Sequence, residues 1–68
     1  MNGTLRELRE EKGLTQSELA TKLGVTQGMI HLLEKGERGA SDSLKIKYAN
    51  FFNKSIEELF FTNRNYFK

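Results

Sequence analysis

Residues 15 to 36, TQSELATKLGVTQGMIHLLEKG, constrain this chain more than any other stretch. Thr15 is followed three residues on by Glu18, the spacing of a capping box, in which hydroxyl and carboxylate each satisfy one orphan backbone N–H at a helix start. Gly24 supplies a residue able to take the left-handed conformation that closes a helix. Thr26 then has the chemistry of a second cap, and Gly36 stands where a C-terminal glycine belongs. The pattern predicts a helix from Gln16 to Leu23, a tight turn at Leu23-Gly24-Val25-Thr26, and a second helix from Gln27 to Lys35. The rest of the chain reads as a platform for this pair.

That platform is helical as well. Residues 4 to 12 predict a first helix, with Thr4 and Glu7 as a capping box and Leu5 and Leu8 on one face. Gly13 stops it, and Leu14 enters the core. The central pair contributes Leu19, Ala20 and Leu23, then Ile30 and Leu33. A polar loop, Glu37-Arg38-Gly39-Ala40, leads to Ser41 as the cap of a fourth helix from Asp42 to Phe52. Its apolar side is Leu44, Tyr48, Phe51 and Phe52, with Lys45 and Lys47 outward. After a turn at Asn53-Lys54, Ser55 and Glu58 form a third box that opens a short fifth helix through Ile56, Leu59 and Phe60. There is no proline, so every break depends on glycine, asparagine and caps. The expected organisation is an all-α domain over residues 1–60 and a tail over 61–68. The tail, FTNRNYFK, is compatible with a small hairpin, an extended arm or a frayed end.

Every Phe and Tyr lies between Tyr48 and Phe67. So small a core has little room for that much aromatic surface. The expectation is a homodimer contact formed by Phe51, Phe60, Phe61, Tyr66 and Phe67. The alternative is an aromatic-rich monomer core with an exposed tail.

Composition removes several function classes. At 68 residues there is room for one domain. The chain has no cysteine, which excludes disulfides, zinc-finger spacings and thiol nucleophiles. With a single histidine there is no second imidazole at metal-ligand spacing, and no cofactor or metal is expected. No paired-carboxylate pocket that so small a bundle could seal from water is evident, so an enzyme is not expected. No apolar run approaches the ~20 residues of a membrane span, and MNGTLRELREEK lacks a signal-peptide apolar region. The expectation is a cytoplasmic protein with no membrane contact. There is also no room for an effector domain, so no small-molecule ligand is expected.

The net charge is only +2, but its distribution is uneven. Acids Glu7, Glu10 and Glu11 come early, whereas Lys35, Arg38, Lys45, Lys47 and Lys54 follow the second central helix. A helix, a glycine turn and a helix at this spacing form the pair that presents its second member to the major groove of double-stranded DNA. On a helical wheel with Ile30 inward, Gly28, Leu32 and Lys35 fall on the far side, Met29 and His31 flank them, and Gln27 points forward from the helix end. Candidate base readers are therefore Gln27, Gly28, Leu32, His31 and Met29. Glutamine pairs bidentately with adenine, and an outward leucine can pack on a thymine methyl. Gly28 would let the backbone approach closely. Met29 and Leu32 can also be read as a protein interface or an extension of the core. His31 has three readings: a base contact, a phosphate contact or an idle surface residue. Candidate phosphate contacts are Gln16 and Thr26 at two helix starts, with Lys35 and Arg38 beyond the second helix.

The stretch LRELREEKGLTQSELATKLGVTQGMIHLLEKGER resembles the Cro-type (XRE-family, phage-repressor-like) helix-turn-helix group, and SDSLKIKYANFFNKSIEELF is similar to that family's fourth and fifth helices. The features are Arg9, Gly13-Leu14-Thr15-Gln16, Glu18-Leu19-Ala20, Leu23-Gly24-Val25-Thr26-Gln27, Ile30, and Glu34 before Gly36. The resemblance covers residues 5 to 60. It implies a five-helix, lambda-repressor-like DNA-binding domain acting as a transcriptional repressor on a palindromic operator. It also implies a structural ion pair between Arg9 and Glu34, with Arg9 near the phosphates. Gly28 and Leu32 depart from the polar residues of many relatives, and Ala40 stands where a proline is common. An antitoxin or a restriction-system controller with a protein partner is the alternative on the same fold.

Overall fold

The computed structural model describes residues 3–60. It places five helices in sequence: α1 (Gly3–Glu11), α2 (Gln16–Leu23), α3 (Gln27–Lys35), α4 (Asp42–Phe52) and α5 (Ile56–Phe60). No strand occurs among the described residues. α2 packs on α3, α1 leans on α3, and α4 joins the assembly through α2 and carries α5.

Local chemistry sets the ends of these elements. Thr15 and Glu18 form a reciprocal box, with the Glu18 N–H donating to Thr15 Oγ1 at 3.0 Å and the Thr15 N–H to Glu18 Oε1 at 2.8 Å. Ser55 and Glu58 repeat this at α5, at 3.1 and 2.9 Å. There the Ser55 N–H holds the Glu58 carboxyl below its usual range. Thr26 and Ser41 cap α3 and α4 by accepting from Met29 N–H and Leu44 N–H. Gly24 and Gly36 take φ of 75° and 78°, the left-handed region where a Cβ is costly. This lets the N–H two positions past the last helical residue turn back, from Val25 to the Ala20 carbonyl and from Glu37 to that of Leu32, each at 3.0 Å. Asn53, with φ 56°, closes α4 in the same way.

One cap differs from expectation. α1 already runs at Gly3, so Thr4 is a helical residue and does not cap it. A threonine three residues before a glutamate fits a cap pattern, but its backbone can equally continue a helix begun upstream.

The core is Leu5, Leu19, Ala20, Leu23, Ile30, Leu33, Leu44, Tyr48, Phe52 and Leu59. Every helix contributes, so no two-helix piece can close it. Tyr48 is its largest fully buried side chain and stands at 5.9 Å from Phe52 and 5.7 Å from Phe60, ring centre to ring centre. Phe51 meets Phe52 edge-on at 5.0 Å, and Lys12 Nζ lies 5.5 Å over the Phe51 ring. Phe51 and Phe60, assigned above to a subunit contact, are thus half-buried within one aromatic cluster. Phe61, Tyr66 and Phe67 lie outside the described residues, as does the expected tail.

The Tyr48 hydroxyl is buried with no hydrogen-bond partner among the described residues. Burial pushes its ionisation well above the ordinary tyrosine value; the nearby Glu34 adds to this and Arg9 opposes it. A buried polar group left unsatisfied costs about 1–3 kcal/mol. Tyr48→Phe keeps the ring and deletes the orphan, so it is expected to raise stability by about 1 kcal/mol. The midpoint of urea unfolding tests this; a clear loss would mean that the hydroxyl has a bonding partner.

Candidate nucleic-acid interface

The outward side of α3 is built by its own cap and glycine. Thr26 stops the preceding turn from continuing into α3 and leaves the first helical residues, Gln27 and Gly28, at an exposed corner. Gln27, Gly28, His31 and Lys35 are exposed, and Leu32 is half-buried without joining the core. Met29 is half-buried and packed against the core, which draws it away from that face. Gly28 has no internal reason to be glycine. A Cβ there would meet only Thr26 Oγ1 at 3.9 Å, an ordinary contact, and the residue is not in the left-handed region.

Beside this face the structure brings together residues far apart in sequence. Arg9 of α1 is 8% exposed and clamps Glu34 of α3 bidentately, Nε to Oε2 at 2.7 Å and Nη2 to Oε1 at 3.0 Å. Its Nη1 donates to the Leu14 carbonyl at 2.7 Å. The hydrogen bond to Glu34 keeps the guanidinium ionised, raising its pKa against the opposing effect of burial. Gln16, at the start of α2, donates from Nε2 to Glu34 Oε1 at 3.1 Å. Glu34 thereby ties three helices at one point. Arg9 points its donors inward, so at this site it is a fastener between helices.

Around that fastener lies a cleft of about 240 Å³ lined by Arg6, Arg9, Gln16, His31, Glu34 and Lys35. Arg6 is a functional candidate that the sequence reading missed. Its spacing of three from Arg9 puts both on one side of α1, which is the signal that was there to use. Arg6 pairs with Glu10 at 3.1 Å and Lys35 with Glu37 at 3.3 Å; both pairs are solvent-exposed. Arg38 is exposed in the loop after α3.

Lys45 and Lys47, on the outward side of α4, direct their amines to groups of the domain itself. Lys47 donates to the Leu23 carbonyl at 3.3 Å, closing the C-terminal end of α2. Lys45 is half-buried with Nζ 6.0 Å from the Phe60 ring centre. Long aliphatic stems cover apolar surface while the ammonium seeks carbonyl or ring electrons, and here those lie within the domain.

Among the described residues no helix is long and apolar enough to cross a membrane, and no group of His, Cys, Asp or Glu could hold a metal ion. A capped pair α2–α3 with an exposed, polar leading turn, seated on three further helices, defines a helix-turn-helix protein of the lambda-repressor-like type. The helix-turn-helix family model matches residues 5–59. An uncharacterized HTH-type transcriptional regulator of Archaeoglobus fulgidus is 47% identical over 60 residues, covering 88% of this chain and 86% of its own. One from Methanocaldococcus jannaschii is 42% identical, covering 88% of this chain and 91% of its own. The transcriptional repressor RghR of Bacillus subtilis is 39% identical, over 81% of this chain and 49% of its own length. The chain belongs to the XRE-type helix-turn-helix family of DNA-binding transcriptional regulators and is not an enzyme.

Proposed function

We propose that this protein is a transcriptional repressor that binds a palindromic operator as a homodimer, with α3 in the major groove. The observation that carries the reading is the outward face of α3, where Gln27 and Gly28 stand exposed on a helix start that Thr26 organises. Gln27 has both edges available for bidentate pairing with adenine. Gly28 costs about 1 kcal/mol relative to alanine in a helix interior. The fold has room for a methyl group there, so close approach of a base or phosphate is a reason for its absence. Leu32 offers a methyl contact to thymine, and His31 borders the same face. Gln16, Thr26, Lys35 and Arg38 engage phosphates and set register without reading sequence.

Two copies place their α3 helices one turn of DNA apart, ~34 Å. Residues 1–60 act as the DNA-binding unit, and Phe51 and Phe60 form the subunit contact together with Phe61, Tyr66 and Phe67. The half-burial of both rings in the α4–α5 cluster leaves them an outward edge for that contact. Repression acts by covering a promoter in the cytoplasm, and the relative named a repressor supports that sign.

Selection of bound duplexes from a random pool at defined salt tests this reading. The expected result is a two-fold symmetric site whose binding weakens steeply as salt rises, because each phosphate contact releases counterions. Recovery of no preferred sequence at any salt would end it.

A further inference from the structure

We propose that Gly28 and Leu32 together read a methyl group at C5 of a pyrimidine whichever base carries it, so that 5-methylcytosine is accepted as thymine is and methylation of an operator cytosine strengthens binding. This rests on the DNA-binding reading above and names the chemical mark to which one operator position responds.

Gly28 and Leu32 are four residues apart, so they are neighbours on the outward side of α3. Ile30 and Leu33 belong to the core and Met29 packs against it, whereas Leu32 is the large apolar side chain of α3 that does neither. Gly28 is exposed, and a Cβ there would meet Thr26 Oγ1 at 3.9 Å and no side-chain atom of Leu32 within 4 Å. The two positions thus frame an open notch, with bare backbone on one side and an isobutyl group on the other. The exposed side chains Gln27, His31 and Lys35 lie on the same helix around it. A notch of this kind suits a small apolar protrusion.

Base edges in the major groove carry one such feature, the C5 methyl of thymine. In 5-methylcytosine a methyl stands on the same ring atom. The two bases differ at the neighbouring carbon, where thymine has an oxygen acceptor and cytosine an amino donor. Gln27 has an amide that senses donors and acceptors, but neither glycine nor leucine has a side-chain donor or acceptor. The Gly28–Leu32 pair therefore responds to the methyl and is indifferent to the group beside it. Uracil and unmodified cytosine leave the notch unfilled. Burying one carbon of this size tightens binding about fourfold.

The experiment is fluorescence anisotropy at constant salt and pH with the best-bound selected duplex. In one half-site each thymine is exchanged for uracil and each cytosine for 5-methylcytosine, one at a time. One position is expected to respond, with the methylated base bound about fourfold more tightly. At that position thymine is then compared with uracil, and 5-methylcytosine with cytosine, each opposite its complement. The two methyl effects should be equal. Leu32→Ala should abolish both, and Leu32→Met, still apolar, should keep both.

No response to the methyl at any position would overturn the inference while leaving DNA binding intact. So would a preference for thymine over uracil without one for 5-methylcytosine over cytosine. Wild-type protein alone gives these two results, so they hold even where Leu32→Ala binds too weakly to titrate. A methyl effect that persists in Leu32→Ala would also overturn it, assigning the effect to another residue or to the stiffness of the DNA. Absence of sequence-specific binding by the wild type to every duplex would remove the DNA-binding reading and this inference together.

Discussion

Arg9→Ala is expected to lower folding stability by about 3–5 kcal/mol, the usual consequence of stripping one partner from a buried ion pair. The size follows from what remains behind. Glu34 would keep only the Gln16 amide at 3.1 Å while still buried. The Leu14 carbonyl would also lose its 2.7 Å donor. A chain of 68 residues has a total stability of only about 3–10 kcal/mol at roughly 0.05–0.15 kcal/mol per residue. The single variant should therefore be largely unfolded or sharply weakened, and DNA binding should fall with it. The double variant Arg9→Met with Glu34→Leu removes the stranded charge and should be more stable than Arg9→Ala, since apolar replacements of buried pairs are often neutral. Urea titrations of the three proteins decide the matter. An unchanged midpoint for Arg9→Ala would mean that the clamp contributes nothing to folding.

Gln27→Ala is the second large expectation, and it acts on recognition rather than on the fold. Specific binding should weaken by about 1–3 kcal/mol, with relaxed choice at one base pair of each half-site. The helix start should survive, because its cap is the Thr26 hydroxyl on the Met29 N–H at 3.1 Å and Gln27 has no such bond. Alanine is also the best helix former. Competition against the full set of single-base operator variants gives the readout. A uniform loss on all sequences, with no change of preference, would assign Gln27 to a phosphate instead. Gly28→Ala makes a useful companion. It should gain about 0.5–1 kcal/mol of stability through a less flexible unfolded chain while losing operator affinity, so the two effects have opposite signs.

Much of the architecture was legible because it is written locally. Thr15 with Glu18, Ser55 with Glu58, and the glycines at 24 and 36 each act within a few residues of themselves, so pattern and structure agree on where α2, α3 and α5 begin or end. Where the local signal was ambiguous, it misled. Thr4 has the spacing of a cap, yet the helix had already begun. The Arg9–Glu34 pair entered through family resemblance; nothing in the spacing of two residues 25 apart announces a contact.

The helix-turn-helix pair, its five-helix setting and the outward position of Gln27 and Gly28 follow from the chain's local pattern, since helical periodicity and capping depend only on neighbours along the chain. The packing of the helices sets where long side chains end. It seated Met29 against the core and turned Lys47 onto the end of α2 and Lys45 towards Phe60. It also gathered Arg6, Gln16 and His31 around one cleft. Reach explains the difference: a flexible side chain of several bonds settles on whichever carbonyl, ring or carboxylate another helix brings near it, and only the packed helices specify which one that is.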